Sequence, residues 1–96
     1  MPYIKTKDRE KFDDALDIIS NNLLSMGDFN YCISKIMDNY LNDVKEVEGS
    51  VGYYYYNNLV GVLECAKLEL YRRLAAPYED LKIEDNGDVY NATSWK

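Results

Sequence analysis

Histidine is absent from this chain, and the residues that usually mark a cofactor site or a disulfide framework are scarce. There are two cysteines, two prolines and one tryptophan, with no glycine-rich phosphate loop and no Cys/His cluster. The absence of histidine excludes the usual nucleophilic triad, in which an imidazole takes the proton of the nucleophile. Binding or chemistry must therefore come from Lys, Arg, Tyr and Glu side chains, and we expect no cofactor and no bound metal.

Positive charge and long apolar runs are also in short supply. The 11 Lys and Arg stand against 17 Asp and Glu, which gives a formal net charge of −6. A binding partner made of nucleic acid is disfavoured, because it would require a basic surface. No apolar run approaches the roughly 20 residues that cross a membrane, and no secretory signal is recognisable, so we expect a cytoplasmic protein. Cys32 and Cys65 lie in apolar helical patterns and are predicted to be reduced, buried thiols.

The first predicted helix follows a cap at Thr6 or Asp8 and runs to about Ser25, where Gly27 would end it. Its apolar residues recur every three to four positions, the spacing of one buried helix face. This stripe consists of Phe12, Ala15, Leu16, Ile19, Leu23 and Met26.

A second helix is predicted to start at a cap formed by Asp28 and to reach Val44 or Val47. Because only about two residues would separate it from the first helix, the two should form an antiparallel hairpin. Its apolar stripe consists of Phe29, Ile33, Ile36, Met37, Tyr40, Leu41 and Val44.

The segment Glu46–Gly52 breaks the helical pattern and is predicted to be a loop. A third helix should begin within residues 53–58 and reach Ala75 or Ala76. Gly61 in its interior indicates close approach by a neighbouring element, since glycine weakens a helix. The apolar stripe of this helix consists of Leu59, Val62, Leu63, Ala66, Leu70 and Leu74.

Two structures are open for the segment that follows. Pro77 at a helix start, Glu79 and Asp80 in the first turn, and Asn86-Gly87 at the end describe a short fourth helix. The same Asn-Gly pair between two apolar residues also suits the turn of a β-hairpin. We favour the helix, because the proline and the acidic residues support it independently.

These patterns predict an all-α fold, a small bundle of three to four helices. Residues 1–90 would form a single helical domain and residues 91–96 a loosely ordered tail. The apolar start of the chain should pack on the core through Pro2, Tyr3 and Ile4. A bundle of this size leaves tyrosine-rich surface uncovered, so we expect a homo-oligomer.

Seven stretches of the chain together form a distinctive pattern: Met-Pro-Tyr-Ile at 1–4, Gly-Asp-Phe-Asn-Tyr-Cys-Ile at 27–33, Gly-Val-Leu-Glu at 61–64, Lys-Leu-Glu-Leu-Tyr-Arg-Arg at 67–73, Ala-Pro-Tyr-Glu-Asp at 76–80, Lys-Ile at 82–83 and Asn-Gly-Asp-Val-Tyr at 86–90. This pattern resembles that of a family of short proteins of unassigned function that are encoded in bacteriophage and bacterial genomes. The resemblance implies a phage or prophage setting, in which small accessory proteins often act on host machinery or host signals, and it brings no activity with it. The tyrosine run 53–56 and the extension 91–96 depart from the family pattern.

Cationic and aromatic side chains cluster near the end of the third helix, and they are the predicted ligand-binding residues: Lys67, Tyr71, Arg72, Arg73 and Tyr78. Guanidinium groups bind phosphate or carboxylate with paired hydrogen bonds, and aromatic rings stack on a planar base. The alternative is a solvated helix face, on which glutamates three or four residues away pair with the cations.

Four consecutive tyrosines, Tyr53, Tyr54, Tyr55 and Tyr56, stand at the start of the third helix. Four adjacent rings cannot all face inward, so at least one or two should be exposed or meet another molecule. We interpret the run as a self-association interface. Base stacking on single-stranded nucleic acid is disfavoured because no basic groove accompanies the rings.

A magnesium site of the kind found in small all-helical nucleotide pyrophosphatases needs paired acids three residues apart on two helices. Asp14 and Asp17 form the one convincing pair, and Glu64 and Glu69 have the wrong spacing. A metal-dependent enzyme is therefore the weakest of three hypotheses. The leading one is a non-enzymatic, oligomeric phage protein that sequesters a nucleotide-like anion against host defence. The alternative is a protein-interaction module that docks on a host protein.

Overall fold

A computed structural model describes residues 3–95, so the predictions for Pro2 and for the last tail residue, Lys96, lie outside the described residues. Across this range every regular element is helical and none is a strand, which confirms the all-α prediction. The chain divides into two compact units, Met1–Gly61 and Val62–Lys96. None of the helices within 3–95 combines the length and the apolarity needed to span a membrane.

The first unit contains α1 (Thr6–Asn22), α2 (Met26–Glu48) and the beginning of α3 (Tyr53–Leu70). At the start of α1, Thr6 is the first helical residue and not the predicted cap, and the preceding Lys5 makes no side-chain capping bond. Instead the Arg9 side chain donates from Nε to the carbonyl oxygen of Ile4 at 2.9 Å.

The turn between α1 and α2 differs from the prediction, because α1 ends before Ser25 and Gly27 lies inside the first turn of α2. Ser25 and Asp28 form a capping box: Ser25 Oγ accepts from the Asp28 N–H at 3.1 Å, and Asp28 Oδ2 accepts from the Ser25 N–H at 3.1 Å. An N-cap residue must have non-helical backbone angles, so α1 has to end upstream of Ser25. Asp28 thus contributes to the cap as its third helical residue, and Ser25 is the N-cap.

The end of α2 lies slightly beyond the predicted one. The helix continues to Glu48, and Gly49 ends it with φ +84°, where its N–H donates to the Lys45 carbonyl oxygen at 2.7 Å. A left-handed residue after a helix favours glycine because a Cβ is strained there. The predicted loop is therefore shortened to residues 49–52.

The predicted apolar stripes of α1 and α2 are present but mostly uncovered. Among the described residues, Val44 is the one buried hydrophobic residue, with 9% of its surface exposed. Phe12 on α1 remains 47% exposed and Ile36 on α2 remains 57% exposed. The half-buried positions of this unit are Ile19, Leu23, Asp28, Cys32, Met37, Leu41, Val51, Tyr55 and Leu59. The stripes therefore extend beyond the surface that the helices of this unit cover.

Two predictions about packing are wrong. A Cβ built on Gly61 would meet nothing within 4 Å, so no element of its unit approaches that glycine closely. Cys32 and Cys65 are both free thiols, as predicted, but Cys65 is exposed and Cys32 is half-buried. In each case the residue lies on a helix as predicted, but the described part of the chain covers it less than expected.

The second unit contains the end of α3, a π-helical turn (Tyr71–Ala75) and α4 (Ala76–Asn86). Pro77 lies at the start of α4, and the Ala76 N–H donates to the Tyr71 carbonyl oxygen five residues back. A proline ring collides with the carbonyl group four residues earlier in a regular α-helix. The wider π turn accommodates Pro77, so the chain stays helical past Ala76 instead of stopping there.

The fourth helix is confirmed over the β-hairpin. It ends at Asn86, and Gly87 follows with φ +89° and ψ 153°, while its N–H donates to the Ile83 carbonyl oxygen at 2.8 Å. After this turn the chain continues into a short 3₁₀ helix, Ala92–Ser94.

Candidate functional site

The five predicted ligand-binding residues all fall in the second unit. Lys67 lies on α3, Tyr71, Arg72 and Arg73 occupy the π-helical turn, and Tyr78 lies on α4. The helical spacing that suggested the cluster is thus interrupted by the π turn, which changes the direction of the side chains that follow it.

The three cations pair with glutamates on the same stretch of chain. Arg72 approaches Glu69 Oε1 at 2.7 Å, Arg73 approaches the same oxygen at 3.7 Å, and Lys67 lies 3.1 Å from Glu64. These are the pairs that the sequence spacing indicated. The cationic side chains are well exposed, and exposed pairs of this kind contribute only about 0.2–1 kcal/mol. Two guanidinium groups therefore meet at one carboxylate oxygen without a large stabilisation.

The two tyrosines of the predicted set have different surroundings. The Lys82 ammonium lies 5.4 Å from the centroid of the Tyr78 ring, a cation–π contact along α4. Tyr71 instead lines a cleft in the second unit. Arg72, Arg73 and Lys67 do not line that cleft, so the predicted cluster is divided between two local environments.

The cleft has a volume of about 440 Å³. Tyr71 at the start of the π-helical turn, α4 and residues 87–90 surround it. Two phenol rings, two aliphatic side chains, an amide and three charged groups surround it. They belong to Tyr71, Glu79, Lys82, Ile83, Asn86, Gly87, Asp88, Val89 and Tyr90.

Asp88 holds one wall of this cleft in place. Its Oδ1 accepts from the Tyr90 N–H at 2.9 Å and its Oδ2 accepts from the Thr93 hydroxyl at 3.1 Å. The Tyr90 N–H, followed by the Thr93 hydroxyl, lowers the pKa of Asp88, because both donors stabilise the ionised carboxylate. The wall therefore depends on an ionised Asp88.

The tyrosine run occupies the corner between α2 and α3. Tyr53, Tyr54 and Tyr56 are exposed, whereas Tyr55 is half-buried. The Tyr55 ring lies 6.4 Å from that of Tyr40 on α2 and 5.2 Å from that of Tyr54, the latter edge-on. One tyrosine of the four thus packs inside the unit, and three face solvent.

Tyr55 also forms a hydrogen bond with the carboxylate of Glu48. This bond, with partial desolvation and the negative charge of Glu48, raises the pKa of the Tyr55 phenol to about 12. The two residues line a cavity of about 240 Å³ with Tyr40, Asp43, Val44 and Val47. The corner that contains the buried Val44 is therefore closed by a phenol–carboxylate contact.

Within residues 3–95 no group of three or more His, Cys, Asp or Glu is placed to hold a metal ion. Asp14 and Asp17 both lie on α1, and neither belongs to such a group among the described residues. Sequence reasoning missed Lys82, Asp88 and Tyr90 as lining residues. The Asp-x-Tyr spacing after Asn86-Gly87 was the available signal, since Asp commonly accepts from the N–H two residues on.

A family model described as a domain of unknown function, DUF6899, matches residues 1–89. No curated protein and no solved structure matches the chain. The matched range ends one residue before Tyr90, so Tyr90 lies outside it, whereas Gly87, Asp88 and Val89 on the same side of the cleft lie within it.

Proposed function

The chain belongs to the DUF6899 family, whose description assigns no activity, and we propose that it is a non-enzymatic binding protein. It acts as an assembly of its own copies and sequesters a nucleotide-like anion. The exposure of its apolar helix faces carries the proposal. With Val44 as the one buried hydrophobic residue of 3–95, the single chain has almost no dry core.

The apolar side chains left uncovered on α1 and α2 are large. They include Phe12, Leu16, Phe29, Ile33 and Ile36, all of which are at least 43% exposed. Monomeric proteins rarely leave contiguous apolar patches of more than a few hundred Å² in contact with water. A second copy offers the same stripe, and in a two-fold dimer each stripe covers the other. Such packing would complete the helical bundle that the sequence predicts.

The anion-binding part of the proposal rests on Arg72 and Arg73. Both guanidinium groups approach one oxygen, Glu69 Oε1, so they lie near enough to each other to share an anionic group. A ligand phosphate would replace Glu69 with more acceptor oxygens and a geometry that suits paired guanidinium bonds. Lys67 and the rings of Tyr71 and Tyr78 would complete the site, in clefts between copies.

The resemblance to phage proteins supplies the proposed setting, the cytoplasm of a host cell. There a small oligomer that retains a nucleotide signal would blunt a host defence without catalysing a reaction. The Tyr53, Tyr54 and Tyr56 rings would contribute to contacts between copies, since they are exposed and amphipathic.

The second candidate is a protein-interaction module that docks on a host protein. The observation that favours it is that Lys67, Arg72 and Arg73 already pair with the carboxylates of Glu64 and Glu69 on the same stretch of chain. Exposed tyrosines and the acidic stretch after residue 78 would then form the docking surface.

Native mass spectrometry of the purified full chain tests the assembly and the ligand together. We expect a mass that is a small multiple of 11.2 kDa, with added mass from a nucleotide-sized ligand. Calorimetry with cyclic and linear nucleotides should then show binding that weakens about tenfold in Arg72→Ala, as loss of a charge-assisted contact predicts. A species of a single chain that binds no nucleotide would overturn the proposal. Recovery of one stoichiometric host protein by an oligomer without nucleotide would favour the docking module.

A further inference from the structure

We propose that the cleft between α4 and residues 87–90 is a binding site for a planar nitrogen heterocycle of the nucleobase class that carries at most one negative charge. This inference deepens the proposed role as a binding protein and rests on it, but it needs neither the assembly nor the Arg72–Arg73 pair. The site lies within the second unit of one chain.

The size and the aromatic lining of the cleft suit such a ring. Its volume of about 440 Å³ falls in the range of about 300–1,000 Å³ that is usual for small-molecule sites. Tyr71 and Tyr90 come from opposite ends of the unit and line the same cleft, with Ile83 and Val89 as aliphatic neighbours. Tyrosine rings stack on any nucleobase, because every base has a π face.

The polar groups of the cleft match the edge of a base more closely than they match a hydrocarbon ring. The Asn86 amide offers donors and an acceptor, Glu79 offers acceptor oxygens, and Lys82 offers a donor. A base edge also alternates donors and acceptors. Purely apolar ligands would leave these groups without partners in the complex, which disfavours them.

The charges of the cleft limit the charge of the ligand. Glu79 and Asp88 contribute two carboxylates against the single ammonium of Lys82. Lys82 lies over the Tyr78 ring on α4 and is the one cation among the residues that line the cleft. A triphosphate would bring several negative charges to a lining that is already net negative, so it should bind more weakly than a nucleoside or a phosphodiester.

The wall that carries Tyr90 is formed before any ligand arrives. Asp88 accepts hydrogen bonds from Tyr90 and from Thr93, and the Thr93 hydroxyl also contacts the Tyr90 carbonyl oxygen at 3.1 Å. Gly87 turns the chain with φ +89° and ψ 153°, a conformation that is close to glycine-only. A wall that is ordered in advance reduces the entropy that binding would otherwise lose.

Calorimetry on the full chain tests this site, with adenosine, guanosine, cytidine and uridine as probes, then the cyclic mononucleotides and the triphosphates. We expect at least one nucleoside or cyclic mononucleotide to bind at this cleft, and the part of the binding that depends on Tyr90 to be about tenfold or more weaker for its triphosphate. Tyr90→Ala should weaken binding by about tenfold and Tyr90→Phe should restore it, because the ring face is what the base contacts.

Tyr31→Ala is the matched control, since Tyr31 is an exposed tyrosine on α2 in the other unit and should leave the affinity unchanged. Circular dichroism of each variant establishes that it is folded. Three results would overturn the site: no binding of any probe up to about 1 mM, equal binding by wild type and Tyr90→Ala, or binding that Arg72→Ala removes and Tyr90→Ala does not. Native masses of the same samples separate the two proposals, because a monomer that binds nucleosides refutes only the assembly.

Discussion

Two carboxylates of this chain accept hydrogen bonds from a tyrosine residue, one from the phenol of the side chain and the other from the backbone N–H. Glu48 in the first unit accepts from the phenol of Tyr55 and raises the pKa of that phenol to about 12. Asp88 in the second unit accepts from the backbone of Tyr90, which lowers the pKa of Asp88 itself. In the first unit the tyrosine ring packs at a helix corner, whereas in the second the ring remains available at a cleft.

Tyrosine therefore has two roles in this small protein. Tyr55 closes a corner beside the one buried hydrophobic residue of 3–95, and Tyr90 lies on an exposed wall that hydrogen bonds keep in place. The first unit should therefore respond to changes in packing. The second should respond to changes in backbone geometry and in hydrogen bonding.

Val44→Ala tests the packing of the first unit and should have the largest effect. Removing two methyl groups from this position, the one buried hydrophobic residue within 3–95, should lower the free energy of unfolding by about 2 kcal/mol. Urea unfolding followed by circular dichroism measures the change. Val60→Ala is the control, because Val60 is exposed on α3 in the same unit and should change stability by less than about 0.5 kcal/mol.

Gly87→Ala tests the backbone of the second unit. An alanine at φ +89° and ψ 153° is strained by about 1–3 kcal/mol, so the wall should open more often. Hydrogen exchange of the Tyr90 N–H should accelerate by about tenfold or more. Gly61→Ala is the matched control with the opposite sign: its Cβ meets nothing within 4 Å, and it should stabilise α3 by about 1 kcal/mol. Equal destabilisation by both variants would contradict this account of the turn.

Ser25→Ala tests the start of α2 and should have a smaller effect. Loss of the Ser25 Oγ contact to the Asp28 N–H should lower stability by about 1 kcal/mol. The Leu24 N–H is the main cause of the lowered pKa of Asp28, with Ser25 second. Stability from Asp28 is thus present above the unfolded pKa of about 4 and is lost as pH falls through the lower folded value. Ser34→Ala, also on α2, should not be destabilising, and a loss equal to that of Ser25→Ala would refute the cap.

The smallest effect concerns the titration of a single phenol. Because the pKa of Tyr55 is raised, its contribution is complete below the unfolded pKa of about 10 and is lost as pH rises through about 12. Ultraviolet absorbance of tyrosinate should show a late component near pH 12 that Tyr55→Phe removes. Tyr54→Phe should retain that component. If the component disappears in Tyr54→Phe instead, the raised pKa does not belong to Tyr55.

Much of the helical architecture could be predicted from the sequence, because periodicity and capping are local properties. A helix was expected at each of α1, α2 and α4, although α1 ends earlier and α2 begins earlier than predicted, and the fourth helix was favoured correctly from Pro77 and its acidic neighbours. Gly27 was misread as a helix end because Ser25 and Asp28 together make a better start. The π turn was missed because accommodating a proline ring within a continuous helix depends on backbone geometry that periodicity does not report.

The candidate site could be predicted only in part. The pairing of Arg72 and Arg73 with Glu69 followed from the spacing of three and four residues, whereas their role in ligand binding stays a prediction. The cleft could not be predicted, since it depends on the turn at Gly87 bringing Tyr90 back toward Tyr71. The burial of the apolar side chains was overestimated, because an apolar stripe identifies a surface that needs cover and does not identify what covers it.

The dependence of thermal unfolding on protein concentration tests the central claim most directly. A chain in which Val44 is the one buried hydrophobic residue among the described residues 3–95 should need its own copies to remain folded. We expect Tm to rise as the concentration of the full chain increases, since mass action favours a folded assembly. A Tm that stays constant over a wide concentration range, with a solution mass of 11.2 kDa throughout, would contradict it.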